Sequence, residues 1–203
     1  MITRFKFYRL LYKRFGVEAL WFLLQSKFLK NKLSNRKIKG LKHPVFLSNY
    51  QADVTTLFQI FFAKEYKVPS DLSPDFIIDC GANIGFSAIY FANEFPTSKI
   101  IALEPDKQNF GFLQKNTSFY KNVICINKAI WPEAATMEIV DVGKGNWGLR
   151  VKESLPGKLN TIEGVSISQI LEEHRPVSID ILKIDIEGSE KEFPATIAGY
   201  EEC

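Results

Sequence analysis

Apolar positions along this chain fall into two rhythms. Short runs rich in β-branched residues, Phe76–Ile78, Ile100–Leu103 and Val123–Ile126, have the length and bounded character of buried strands. Between them apolar residues return every three or four positions, as on one face of a helix. The pattern predicts a helix over Phe86–Ala92 and another after Asp106, with Phe110 and Leu113 on its inner side. Met137–Val142 and Trp147–Val151 flank Gly143-Lys144-Gly145-Asn146 and predict a hairpin. Ser166 followed by Gln169 is a capping box for a helix over Ile167–His174, and Ile179–Ile184 is a last strand. Ahead of all these, Val45–Leu47 predicts a short strand and Thr55–Tyr66 a helix capped by Asp53. Strands alternating with helices place the chain in the α/β class.

The first long strand carries the clearest chemical signal. It ends on Asp79, and Gly81-Ala82-Asn83-Ile84-Gly85-Phe86 leads into the helix. Glycines in such a loop allow a backbone to approach a ligand, and the helix start presents free N–H groups. The next strand ends on Glu104, 19 positions past Gly85, where an acid can accept both hydroxyl protons of a ribose. The dinucleotide fingerprint needs a middle glycine against the pyrophosphate. Asn83 stands there instead, and Phe86 takes the last glycine's place, so an adenosine ligand without phosphate fits better. S-adenosylmethionine is the common one. Gly81, Asn83, Gly85, Glu104 and Asp79 are the candidate contacts.

The last strand breaks the rule that a doubly covered parallel strand is apolar throughout. Lys183, Asp185 and Glu187 alternate, so they share one face for as long as the strand continues. Charge there is costly unless paired or facing a cavity, and ligands of open α/β sheets sit at strand carboxyl ends. Either these residues act on a ligand or Lys183 and Asp185 form a structural ion pair. His43 and His174 follow no strand of this site and read as bystanders.

Charge changes the picture at the N-terminus. The 203 residues carry a net +3, yet residues 1–42 hold twelve of the 26 Lys/Arg and one of the 23 acids. That leaves +11 before residue 43 and −8 after it. Residues 3–15 are amphipathic if helical, and Val17, Leu20, Trp21, Leu24 and Phe28 repeat at helical spacing. Basic residues among large aromatics suit either an anionic membrane surface or a helical cap on the domain. Ala19–Leu24 is too short an apolar core for a signal peptide, and no small-residue cleavage site follows it. No apolar run reaches membrane-spanning length, no nucleic-acid-binding motif accompanies the basic cluster, and three scattered cysteines fit neither a disulfide framework nor a zinc site. A reducing cytoplasm is the expected compartment, with the inner membrane face as an option. The expected organisation is a basic extension over 1–42, a strand and helix over 43–75, and the ligand-binding domain over 76–203.

Four ordered blocks, DCGANIG, IIALEPD, INKAIW and ILKIDIEGSE, make the region from His43 to Tyr200 similar to the FkbM-type S-adenosylmethionine-dependent methyltransferases. The resemblance implies a Rossmann-like open sheet of seven strands. Only four core strands are expected here before Cys203, so the sheet looks truncated in its substrate half, with an exposed edge available for a homo-oligomer. It implies that backbone near Ala129 lies beside the adenine, and that the segment before the domain covers or shapes the donor pocket. It also implies O-methylation of a small-molecule hydroxyl, often on a glycan or natural product. A hydroxyl of high pKa needs a base as its new bond forms. Asp185 or Glu187 can serve directly, or can hold a divalent ion that acidifies the hydroxyl, with Lys183 beside them. Two other readings stay open: a nicotinamide-dependent oxidoreductase, which the glycine spacing disfavours, and a non-catalytic, membrane-associated remnant.

Overall fold

The computed structural model describes residues 35–36, 41–48, 50–141, 149–154 and 161–186. The basic extension lies almost wholly outside them, as do Glu187 and the Gly143–Asn146 turn. A two-residue strand β1 (Asn35–Arg36) pairs antiparallel with β2 (Val45–Phe46). Helix α1 (Tyr50–Phe58) comes next, running into a π-helical turn over Gln59–Ala63. After it come β3 (Phe76–Cys80), α2 (Phe86–Glu94), β4 (Lys99–Leu103), α3 (Lys107–Thr117) and β5 (Val123–Ile126). The chain continues with β6 (Ala129–Ile130), β7 (Thr136–Asp141), β8 (Leu149–Glu153), β9 (Thr161–Val165), α4 (Ile167–His174) and β10 (Ile181–Ile184).

The main sheet has the order β10-β3-β4-β5, and every pairing in it is parallel. All five residues of β3 are buried, as are Ile100 to Leu103 of β4, which is what two interior strands require. Alternation sends the side chains to opposite faces. Ile77 and Ile100 join Phe86, Ile89 and Phe91 of α2 in one cluster. Phe76, Ile78, Ile101 and Leu103 join Ile170 of α4, Ile130 and Val165 in another. A second sheet, β6-β9-β7-β8, contains the expected hairpin as the antiparallel pair β7–β8.

Three features depart from expectation. The helix over Thr55–Tyr66 begins earlier, at Tyr50, so Asp53 lies in its first turn and does not cap it. The Asp53 carboxylate instead accepts the Ser48 N–H at 2.6 Å. That helix then widens into the π-turn and ends at Lys64 in the left-handed region, with φ 56°. Strands β6 and β9 were not expected, since one has two residues and the other contains Gly164. Finally, β10 begins two residues late. Asp180 turns its carboxylate to the N–H groups of Asp75 and Phe76, at 2.8 and 2.9 Å, and so fastens the entrance of β3.

No boundary in the core separates residues 43–75 from the strands and helices beyond Phe76. Leu41, Val45, Leu47, Val54, Leu57 and Ile60 belong to the same cluster as Ile77 and Phe91. Asn116, wholly buried on α3, bonds both to the Phe46 backbone and to the Ile84 carbonyl.

Candidate active site

At the carboxyl ends of β3, β4 and β10 a hollow of about 130 Å³ opens. The Gly81–Ile84 loop, Glu104 and its two successors, Lys183 and Asp185 form its floor and sides. Asp53, Thr56 and Ile60 of the α1 segment, with Tyr66, close one flank, and Ile139 of β7 contributes another wall. The segment before the domain therefore does shape the pocket.

The glycine loop is built by strain that only certain residues tolerate. Gly81 has φ +76° and Gly85 φ +95°, and Asn83 between them has φ 49°. What the glycines approach is protein. A Cβ on Gly81 would sit 2.0 Å from the Asp185 carbonyl oxygen, and one on Gly85 would sit 2.9 Å from the Leu113 side chain. The first lets the end of β10 lie directly on the loop; the second lets α2 pack closely on α3. Gly81 and Asn83 still line the hollow, whereas Gly85 stands behind it.

Glu104 is 6% exposed and is held open toward the hollow by two backbone donors. Asn83 N–H reaches its Oε2 at 2.8 Å and Asp106 N–H its Oε1 at 2.9 Å. Each oxygen thus takes one bond and retains acceptor capacity, the arrangement that two vicinal hydroxyls need. Burial pushes its carboxyl up to about 7, against the opposing pull of those two N–H bonds.

Asp79 behaves differently. It is 0% exposed and is not among the residues that line the hollow. Parallel register sets Lys183 of β10 beside it, and Lys183 Nζ lies 2.9 Å from Asp79 Oδ1. Ser87 of α2 donates to Oδ2 at 2.6 Å. Lys183 also donates to the Gly81 carbonyl at 2.8 Å and more weakly to that of Cys80 at 3.4 Å. Its pairing with Asp185 is looser, at 3.8 Å. The ion pair anticipated between Lys183 and Asp185 therefore has Asp79 as its principal partner. Burial alone would drive the ammonium toward the neutral form. Asp79 foremost, then Tyr66 and Asp185, outweigh it, and the pKa lies above the ordinary lysine value. With its protons committed and its charge locked, Lys183 is no base; it ties β10 to the glycine loop.

Asp185 remains at the mouth, its side chain 60% exposed, with the Tyr66 hydroxyl 3.5 Å away. Ala129 does not reach the hollow. It is 1% exposed and pairs with Gly164 in the second sheet. His43 stacks on Phe119 at 4.7 Å and His174 leans on Phe76, both away from the hollow. Tyr66 and Ile139 escaped the sequence reading, and no local pattern marked them. Among the described residues no cluster of His, Cys, Asp and Glu could hold a metal, and no helix is long and apolar enough to cross a membrane.

Residues 79–193, more than half of the chain, match the model of the methyltransferase FkbM domain. "Methyltransferase 1" of Beauveria bassiana is 25% identical over 154 residues, covering 65% of this chain and 62% of that protein. "Methyltransferase sdnD" of Sordaria araneosa is 26% identical over 167 residues, covering 66% of this chain and 64% of its own. The chain thus spans a little under two thirds of the length of these curated relatives. A solved methyltransferase FkbM from Methylobacillus flagellatus aligns with 67% of this chain and 32% of its own, at 20% identity and a TM-score of 0.43.

Proposed function

The chain belongs to the FkbM methyltransferase family, and from that premise we propose that it binds S-adenosylmethionine and methylates a hydroxyl of a small molecule. The observation that carries the reading is Glu104: a buried carboxylate at the end of β4, turned to the hollow, with each oxygen only half used. S-adenosylmethionine brings a methyl group on a sulfonium, which is a good leaving group. Glu104 would take the two ribose hydroxyls, and the Asn83 backbone, fixed by its bond to Glu104, would keep the sugar in register. Lys183 and Asp79 would act one step back, by holding Gly81 and the end of β10 in place.

Asp185 suits the role of base. It is the carboxylate at the mouth, at the end of a strand, exposed enough to meet an acceptor. As the acceptor oxygen bonds to the methyl carbon and the carbon–sulfur bond breaks, the hydroxyl proton would pass to the Asp185 carboxylate. Glu187, proposed for the same work, lies outside the described residues, and so does almost all of the basic segment proposed to meet an anionic membrane surface.

Calorimetric titration with S-adenosylmethionine tests the donor half. Saturable binding is expected, and Glu104→Ala should weaken it by about a hundredfold or more, since two hydrogen bonds to a charged group are lost. Binding that survives the substitution intact would overturn the assignment. For Asp185→Asn, donor affinity should change little while turnover falls by at least about a hundredfold.

A further inference from the structure

One corner of the domain is charged oppositely to the rest of it. From Lys107 to Lys128 the chain carries four lysines and no acid. The other residues after position 42 carry 22 acids against ten Lys/Arg, fourteen less these four. Lys128 pairs with Glu163 at 2.9 Å. Lys115 and Lys121 are exposed and make no ion pair with a described carboxylate. The same holds for Lys42, which precedes His43. The His43 ring stacks on Phe119 with centroids 4.7 Å apart, and Leu41 is buried in the same cluster as Phe112 and Tyr120. The basic extension thus joins the folded domain at the end of α3.

Local turns explain how Phe119 comes to be on the surface. Beyond α3, Tyr120 N–H donates to the Thr117 carbonyl at 2.8 Å and Val123 N–H to the Tyr120 carbonyl at 3.2 Å. Thr117 and Tyr120 are buried and tied down: the Thr117 hydroxyl donates to the Leu113 carbonyl at 2.8 Å, and the Asn93 amide donates to the Tyr120 hydroxyl at 3.3 Å. Phe119 stands at the tip between them, 53% exposed. Ser, Asn or Asp suits such a tip better than a phenyl ring with little to pack on. Ile124, second in the edge strand β5, is exposed as well.

Lysines without acids, around an aromatic ring held on a firm turn, match the chemistry of an anionic bilayer. The ammonium groups meet the headgroups, and the ring enters the boundary with the acyl chains. An oligonucleotide would use the lysines but not the aliphatic Ile124, and His43 already covers one face of the Phe119 ring. α3 runs from the carboxyl end of β4 back to the amino end of β5, so the corner lies at the opposite edge of the sheet from the hollow. A domain docked there keeps the hollow open to water.

We propose that the corner formed by Lys42, Lys115, Phe119 and Lys121 docks on an anionic membrane surface. The lysines lie on the headgroups and Phe119 among the outermost acyl carbons. This surface belongs to the folded domain, and it acts alongside the extension that joins it there. It is independent of the methyl donor.

Flotation of the full chain tests this with two kinds of vesicle, phosphatidylcholine alone and phosphatidylcholine mixed with phosphatidylserine. The wild-type protein should float with the mixed vesicles, stay behind with phosphatidylcholine alone, and be released as salt rises. Lys115→Glu combined with Lys121→Glu should weaken binding at least about twentyfold, at about fivefold for each lysine. Phe119→Ser should weaken it about fivefold. Circular dichroism should show both variants folded as the wild type is, with unchanged affinity for S-adenosylmethionine. A wild-type chain that ignores the mixed vesicles, or floats equally with both kinds, overturns the proposal. So do variants that float as well as the wild type, or that lose binding to a mixed-sequence oligonucleotide while flotation is unchanged. Failure of every form to bind S-adenosylmethionine would remove the donor reading and leave this one standing.

Discussion

Two neighbouring strands each end on a buried acid, and the two ends are built on opposite terms. At the end of β3, Asp79 is neutralised by the Lys183 ammonium and bonded by Ser87, and no surface of it reaches the hollow. At the end of β4, Glu104 has two backbone N–H donors, no described cation within ion-pair distance, and an open side. The first is a finished structure, with every charge matched. The second is stabilised only in part and raises its pKa in consequence. A buried acid that the protein has already satisfied holds the site together; one left short of partners is where a ligand is expected.

The contrast predicts which change harms folding and which harms binding. Asp79→Ala should have the largest effect on stability, about 3–5 kcal/mol, because it strands a buried ammonium. Denaturant unfolding measures it. The paired replacement Asp79→Leu with Lys183→Met should recover most of that loss, since apolar residues of similar volume replace a buried ion pair at little cost. If the single and double variants lose the same amount, the pair is not what holds β10 to β3.

The next effect is one of pH, and Glu104 carries it. Its folded carboxyl lies near 7, above the ordinary value of 4.5 that the unfolded chain would show. Such a group favours folding when protonated. Its contribution is fully present below about 4.5 and is lost as pH rises through about 7. Donor affinity should run the other way, weakening by up to about tenfold per unit as pH falls below 7, because a protonated carboxyl gives up an acceptor site. Calorimetry in buffers of differing ionisation heat should register proton release on binding near neutrality. Glu104→Gln should flatten the stability profile.

Smallest in magnitude is Ser87→Ala. Losing a hydrogen bond to a charged group costs about 1.5–3 kcal/mol. Lys183 should keep Asp79 in place, so donor affinity should change by less than about threefold. Thermal melting and calorimetry on the one variant separate the two readings of β3's end.

Much of this arrangement was legible in the chain itself. The strands over 76–80, 99–103 and 123–126, the caps of α3 and α4 and the loop into α2 arise from local chemistry: β-branched runs, glycines, and cap side chains one turn before their N–H partners. Glu104 was legible for the same reason, because its spacing from the glycine loop is a local quantity. Asp79 was not. An acid at a strand end looks the same whether it faces a ligand or a lysine 104 residues later, and only the parallel register of β10 on β3 distinguishes the two. The glycines were legible in part, since Gly81 lines the hollow and Gly85 stands behind it. Their spacing marks positions where a side chain is disfavoured by a positive φ, but it does not show that Asp185 and Leu113 also fill the space, brought there by tertiary packing. Tyr66, Ile139 and Asn109 reach the hollow from three separate elements, and nothing in their immediate surroundings announces it.

The triple bonding of Asn116 carries one more consequence. One amide clasps the Phe46 main chain on one side and the Ile84 carbonyl on the other. Residues that precede the matched family region are thus riveted to the loop that shapes the ligand hollow. Trimming the polypeptide back to Phe76 would not isolate a minimal catalytic module. It would pull away a flank of the pocket, lay bare the apolar seam that Leu57 and Ile60 cover, and leave that loop without one of its anchors.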